Sequence, residues 1–202
     1  MREFYGGLRQ TRNGSGTLLP AWRETVGEAP TVSFSDLIGA YLHDPACKAF
    51  VDFLADQTVG VGFFTTVNAD YAEAVKAKAV VDDFCEAVNL DGLLQIGARE
   101  IVACGNSFWL KMEPDNLQHV KILPLTGFED SKAIVRDKAG DVKAYNYSYG
   151  GVKATFQPEK IIHFKWTPVN FSAFGTGVLQ VLLEELSFNG ETRKSFLEMK
   201  AR

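Results

Sequence analysis

The sequence predicts an α+β fold in which helices pack on mixed or antiparallel β-structure and lead into a long carboxy-terminal helix. Two changes of period carry this prediction. Apolar residues recur at helical spacing as far as Val102, then alternate from Asn106 over short runs rich in β-branched and aromatic residues. From Val178 a leucine stripe restores the helical period. The 202 residues are 46% hydrophobic with 15 Phe, enough apolar surface for a full core and far from the composition of a disordered chain.

Residues 1–34 read as an extended arm. Asn13-Gly14-Ser15-Gly16 turns or flexes, and Pro20 and Pro30 oppose helix. The arm either docks on a neighbour through Leu18, Leu19 and Trp22 or stays loose, since so short a stretch cannot bury enough surface to fold alone. Residues 35–202 form the body.

Ser33 or Ser35 caps a first helix whose apolar face is Leu37, Ile38, Tyr41 and Leu42. His43-Asp44-Pro45 stops it, because the residue before proline is pushed out of the helical region while proline suits the first turn of the next helix. That second helix spans 45–56, with Ala46, Ala49, Phe50, Phe53 and Leu54 on one face. Residues 59–67, Val-Gly-Val-Gly-Phe-Phe-Thr-Thr-Val, have the composition of a strand. Asn68-Ala69-Asp70 opens a helix over 71–88, and a break at 89–92 leads to another over 90–102, which Gly105 ends.

Strands follow at 107–112, 119–123, 133–137, 142–149, 153–156 and 161–166, with Asp137-Lys138-Ala139-Gly140 as the clearest hairpin turn. A final helix begins near Val178 with the stripe Leu179, Leu182, Leu183 and Leu186, and Asn189-Gly190 is where it would break. The chain stops inside this helical pattern, so the sequence is expected to be the amino-terminal portion of something longer.

No apolar run approaches the roughly 20 residues of a membrane-spanning helix. The amino terminus lacks the apolar core of a secretory signal, making the cytoplasm the default site of synthesis. Cys47, Cys85 and Cys104 are odd in number and widely spaced, a pattern of buried thiols and not of a disulfide framework. A net charge of −4 gives no general attraction to nucleic acid.

Reactive constellations are weak throughout. His43, His119 and His163 are isolated, with no metal-ligand spacing, and His163 lies in an apolar strand where a packed imidazole is the usual state. Gly60-Val61-Gly62 lacks the rest of a dinucleotide fingerprint, and no phosphate loop exists. Asp82 and Asp83 are adjacent on a helix and so do not face one another. Ser15 and Ser107 complete no nucleophile elbow, and Cys104 sits at a helix end where the dipole disfavours a thiolate. Arg193, Lys194, Lys200 and Arg202 are interleaved with Glu184, Glu185, Glu191 and Glu198, as on a solvated helix. No catalytic, cofactor-binding or metal-binding residue is assigned, no cofactor is expected, and the DNA-contacting positions are unknown.

One ordered set of segments is more specific. The helix 90–102 followed by Cys104-Gly105-Asn106-Ser107-Phe108-Trp109-Leu110 resembles the helix and Gly-Asn-aromatic strand of the portal proteins of tailed bacteriophages. In the same order come 119–124, like the family's Leu-x-Pro turn, and 135–149, like its Asp-x-x-Gly hairpin. Phe156-Gln157-Pro158-Glu159-Lys160-Ile161-Ile162-His163-Phe164 resembles its Glu-Ile-Ile-His strand, and Gly175-Thr176-Gly177-Val178-Leu179 its Gly-x-Ser-Pro-Leu helix start. Gly177 and Val178 stand where the family has Ser and Pro. The resemblance covers residues 37–190.

The resemblance implies a portal wing over 35–202, with 175–202 starting the stem-proximal helix. It implies a homo-oligomeric ring, dodecameric in the family, at one capsid vertex, through which double-stranded DNA is packaged and ejected. The partners it implies are the major capsid protein, terminase and a head–tail adaptor, with no membrane, and the location is the virion after assembly in the host cytoplasm. Such a subunit is structural and not an enzyme. An enzyme acting on nucleic acid or a small molecule would instead gather Asp82, Asp83 and His163 in one pocket. A host-cell binding module would show a large exposed apolar patch unrelated to ring closure.

Overall fold

The computed structural model describes residues 27–67, 71–112, 120–137, 139–168 and 172–182. Among these residues four helices come first: α1 (Phe34–His43), α2 (Pro45–Val59), α3 (Ala72–Ala87) and α4 (Leu90–Cys104). Six strands follow: β1 (Asn106–Lys111), β2 (Val120–Leu123), β3 (Ile134–Arg136), β4 (Val142–Tyr149), β5 (Val152–Phe156) and β6 (Ile161–Lys165). Residues 178–182 are helical. The fold is α+β.

Local chemistry accounts for the helix boundaries. Ser33 caps α1, its side chain accepting from the Asp36 amide. Asp44 caps α2 by accepting from the amides of Ala46 (2.8 Å) and Cys47 (3.0 Å), with Pro45 in the first turn. Asn89 adopts φ 49° and caps α4, and Gly105 closes it at φ 76°, its N–H bonded to the Ile101 carbonyl.

The strand expected at 59–67 is absent. Val59 is the last residue of α2, Gly60 donates to the Asp56 carbonyl at 2.8 Å, and Gly62 turns the chain at φ 76°. Residues 63–67 then run extended beside α3 without a partner strand among the described residues. Strand propensity describes a side chain's fit to a pleated, half-covered surface, and that surface is missing here. The opening Asn68-Ala69-Asp70 lies outside the described residues, as do His119, Lys138, Leu183, Leu186, the charged residues from 184 to 202 and the arm up to 26. From 183 onward the expected long helix is likewise outside them.

Both sheets are antiparallel and three-stranded, ordered β2-β1-β6 and β3-β4-β5. Asp137 shapes the β3–β4 turn by accepting from the amides of Ala139 and Asp141, and Gly140 takes φ 95°. Gly150 and Gly151, both at positive φ, join β4 to β5, the conformation a two-residue hairpin needs. The backbone of Glu28 bridges to Ile134, tying residues just before α1 to β3.

Phe108 anchors the core and is wholly buried. Its ring stacks on Phe128 (4.0 Å between centroids) and His163 (4.1 Å) and meets Tyr145 and Phe174 edge-on. This face of β1 thus turns toward β4 of the other sheet. Its opposite face takes α4, where a Cβ on Gly97 would come within 2.9 Å of the Trp109 ring. Burying a residue like Phe108 contributes about 2–3 kcal/mol.

Candidate functional site

A tightly built junction joins two loops that flank the sheet β2-β1-β6. Asn106, buried at the start of β1, uses its whole amide: Nδ2 donates to the carbonyls of Cys104 (2.9 Å) and Gly175 (3.1 Å), and Oδ1 accepts from the Gly175 amide (2.8 Å). His163 Nε2 lies 3.1 Å from the same Oδ1, so it carries the proton and donates. Burial, with Lys165 adding to it, pushes the His163 pKa down to about 3, and the ring is neutral at physiological pH. The Trp166 amide donates to the Gly105 carbonyl and the Thr176 amide to the Trp166 carbonyl.

Glycine is required here by contact as well as by torsion. A Cβ on Gly105 would lie 2.4 Å from the Gly177 nitrogen; on Gly177, 2.3 Å from the Ala103 oxygen; on Gly175, 2.1 Å from the Gly105 oxygen. Two backbones therefore touch directly, and the junction fixes where the helical segment at 178–182 leaves the body, with Leu179 fully buried.

Behind the junction lies a second buried group. Ser107 donates to Glu100 Oε2 at 2.6 Å and accepts from Trp109 Nε1 at 2.9 Å, linking β1 to α4. Burial pushes the Glu100 pKa up to about 7, and the Ser107 hydrogen bond only partly opposes the shift. Burial, helped by the nearby Glu100, raises Cys104 to about 12, so this thiol stays protonated. Cys47 is also buried and raised, while Cys85 is half-buried. Sequence reasoning missed Glu100; its signal was a carboxylate on the sheet-facing side of a helix, among Gly97, Ile101 and Ala103.

A third cluster joins α2 to α4. Arg99 donates to Asp52 and Asp56, each at 2.9 Å, and Tyr41 and Lys48 also donate to Asp52. Those hydrogen bonds, led by Tyr41, hold the Asp52 pKa down at about 2.

The residues singled out as an alternative reactive set are kept apart. Asp82 on α3 accepts from Thr65 and pairs with Lys78, while Asp83 is exposed. His163 belongs to the buried junction and is not among the residues lining either recess beside α3. Ser107 serves the Glu100 linkage, and His43 ends α1. Among the described residues no group of His, Cys, Asp or Glu could hold a metal ion, and no helix is long and apolar enough to cross a membrane.

Apolar grooves mark the described surface. One, about 300 Å³, is lined by Val59, Gly97, Ile101, Trp109, Phe164 and Trp166; another, about 260 Å³, lies between α1 and α4 beside Glu100. Among the described large apolar residues Val61, at 99%, and Phe64, at 86% and beside α3, are the most exposed, and α3 itself buries none of its residues.

No protein-family model matches the chain, and no curated protein matches it. Solved structures do. A chain in the virion of a native gene transfer agent particle aligns with TM-score 0.62 and 18% identity over 84% of this chain and 46% of its own length. A chain in the neck of the empty particle, computed with C6 symmetry, aligns with TM-score 0.61 and 18% identity over 80% and 46%. One in the neck of the native particle, computed with C12 symmetry, gives 0.57 and 16% over 86% and 48%. This chain spans under half the length of those chains. At such identity, the conclusion these likenesses carry is a shared fold.

Proposed function

We propose that the chain is the wing of a portal subunit, one copy in a ring at a capsid vertex that conducts double-stranded DNA and docks terminase and a head–tail adaptor. The observation that carries this reading is the fold shared with chains of gene transfer agent particles whose neck was computed with C6 and C12 symmetry. The order of motifs resembling the portal family supports it independently. The two most separated of them, Gly105-Asn106 and Gly175-Thr176-Gly177, meet in one junction.

The physical demands of that role fit these residues. A ring subunit needs two different lateral surfaces that close under rotation, and a rigid body to hold them in register. The junction supplies the rigidity at the point where the helical segment departs. The net charge of −4 suits a conduit in which DNA slides, because strong phosphate pairing would retain it. The role calls for no catalytic step. Native mass spectrometry of the full-length protein tests the reading: closed oligomers of defined copy number support it, and a monomer at all concentrations refutes it.

A further inference from the structure

We infer that residues 63–67 form a strand only between subunits, pairing with the free edge of β5 in the next copy of the chain; this deepens the ring reading and rests on it. Several observations converge on the segment. Its composition is that of a strand, its backbone is extended, and among the described residues no backbone–backbone hydrogen bond engages it. From Phe64 to Val67 its side chains alternate as a strand's do: Thr65 and Val67 are half-buried against α3, while Phe64 and Thr66 are exposed, and Phe63 at the start is exposed as well. An extended run with unpaired N–H and C=O groups is a template for another edge.

A matching edge exists on the same polypeptide. Among the described residues β5 closes the sheet β3-β4-β5 and pairs only with β4, and it has the same five-residue length. Val152 at 61% exposure and Tyr149 at 50% give it apolar surface for Phe64. Charge complements shape. Asp82, Glu86 and Asp91 line the recess beside Phe63 and Phe64, while Lys153 on β5 and Lys143 on β4 are exposed. Because segment and edge are different surfaces of one chain, their pairing is head-to-tail, the kind of contact that generates a ring. The second copy is therefore the occupant that both surfaces specify.

Hydrogen exchange on full-length protein, isolated as monomer and as assembled ring, tests this. Assembly is expected to slow the amides of 63–67 and the outward amides of Val152–Phe156 by about tenfold or more. Thr66→Pro, which removes one donor from an already extended segment, is expected to lower the assembly constant by about tenfold while leaving the monomer's melting temperature unchanged. Rings whose 63–67 amides exchange as fast as in the monomer overturn the pairing and leave the ring reading intact. Protection that arises only when another virion protein is added also overturns it. A wild-type chain that never assembles refutes the ring reading, and the pairing falls with it.

Discussion

Asn106 and Gly175, 69 residues apart in sequence, hold each other through both ends of one amide: the side-chain oxygen accepts from the Gly175 N–H and the side-chain nitrogen donates to the Gly175 carbonyl. This reciprocal pair locks the end of α4 to the loop that precedes the helical segment at 178–182. Removing it leaves buried backbone groups without partners. Asn106→Ala is expected to cost about 3–4 kcal/mol, measured as a shift in the urea midpoint. Asn106→Asp is expected to cost more, since a carboxylate cannot donate to the carbonyls of Cys104 and Gly175 and would be buried as a charge.

The glycines of the junction separate contact from flexibility. Gly177→Ala drives a methyl against the Ala103 carbonyl, and Gly105→Ala adds a positive φ to a backbone clash. Each is expected to destabilise by about 2–4 kcal/mol. Gly39, inside α1 with open space at its Cβ position, is the control: Gly39→Ala is expected to stabilise by about 0.5–1 kcal/mol. Thermal melts of the three variants check the ordering.

Glu100 and His163 act oppositely on acid stability. Glu100 is raised to about 7, so the folded state keeps a proton that the unfolded chain releases near its ordinary value of 4.5. The resulting stability is full below pH 4.5 and is lost as pH rises to about 7, on the order of 3 kcal/mol at most. His163, depressed to about 3, stabilises above pH 6.5 and loses that contribution as pH falls toward 3. Between pH 4.5 and 6.5 the two slopes cancel in large part. Glu100→Gln keeps an acceptor for Ser107 and removes one slope, so its stability should fall steeply with acid from pH 6.5, where the wild type is nearly flat. Urea titrations at half-unit pH steps read this directly.

The Arg99 cluster bridges α2 and α4 at a partly exposed site, with Arg99 and Asp52 side chains 31% and 28% accessible. Such pairs are screened, so Arg99→Met should cost only about 1 kcal/mol, less in high salt. A loss that persists unchanged in 1 M salt would assign the effect to packing instead.

Much of this fold is legible in the sequence because local chemistry agrees with tertiary packing. Asp44-Pro45 caps α2, Gly105 ends α4, the turn at 137–140 joins β3 to β4, and β4 spans the expected 142–149. The segment 59–67 is where the two disagree. Its β-branched and aromatic residues favour a strand, but the end of α2 claims Val59 and no edge among the described residues is offered to the rest. The junction was legible only as an order of motifs. Nothing local reveals that Asn106 would satisfy Gly175, since that depends on two loops meeting across 69 residues. Glu100 was hidden because a carboxylate in a helix ordinarily faces water, and only the packing of α4 on β1 buries it.

Electron-microscopic class averages of the purified full-length protein test the structural role most directly. Rings with an open centre and a fixed number of copies are the predicted outcome. Solitary particles at high concentration, in a preparation that turns over a substrate, would contradict it.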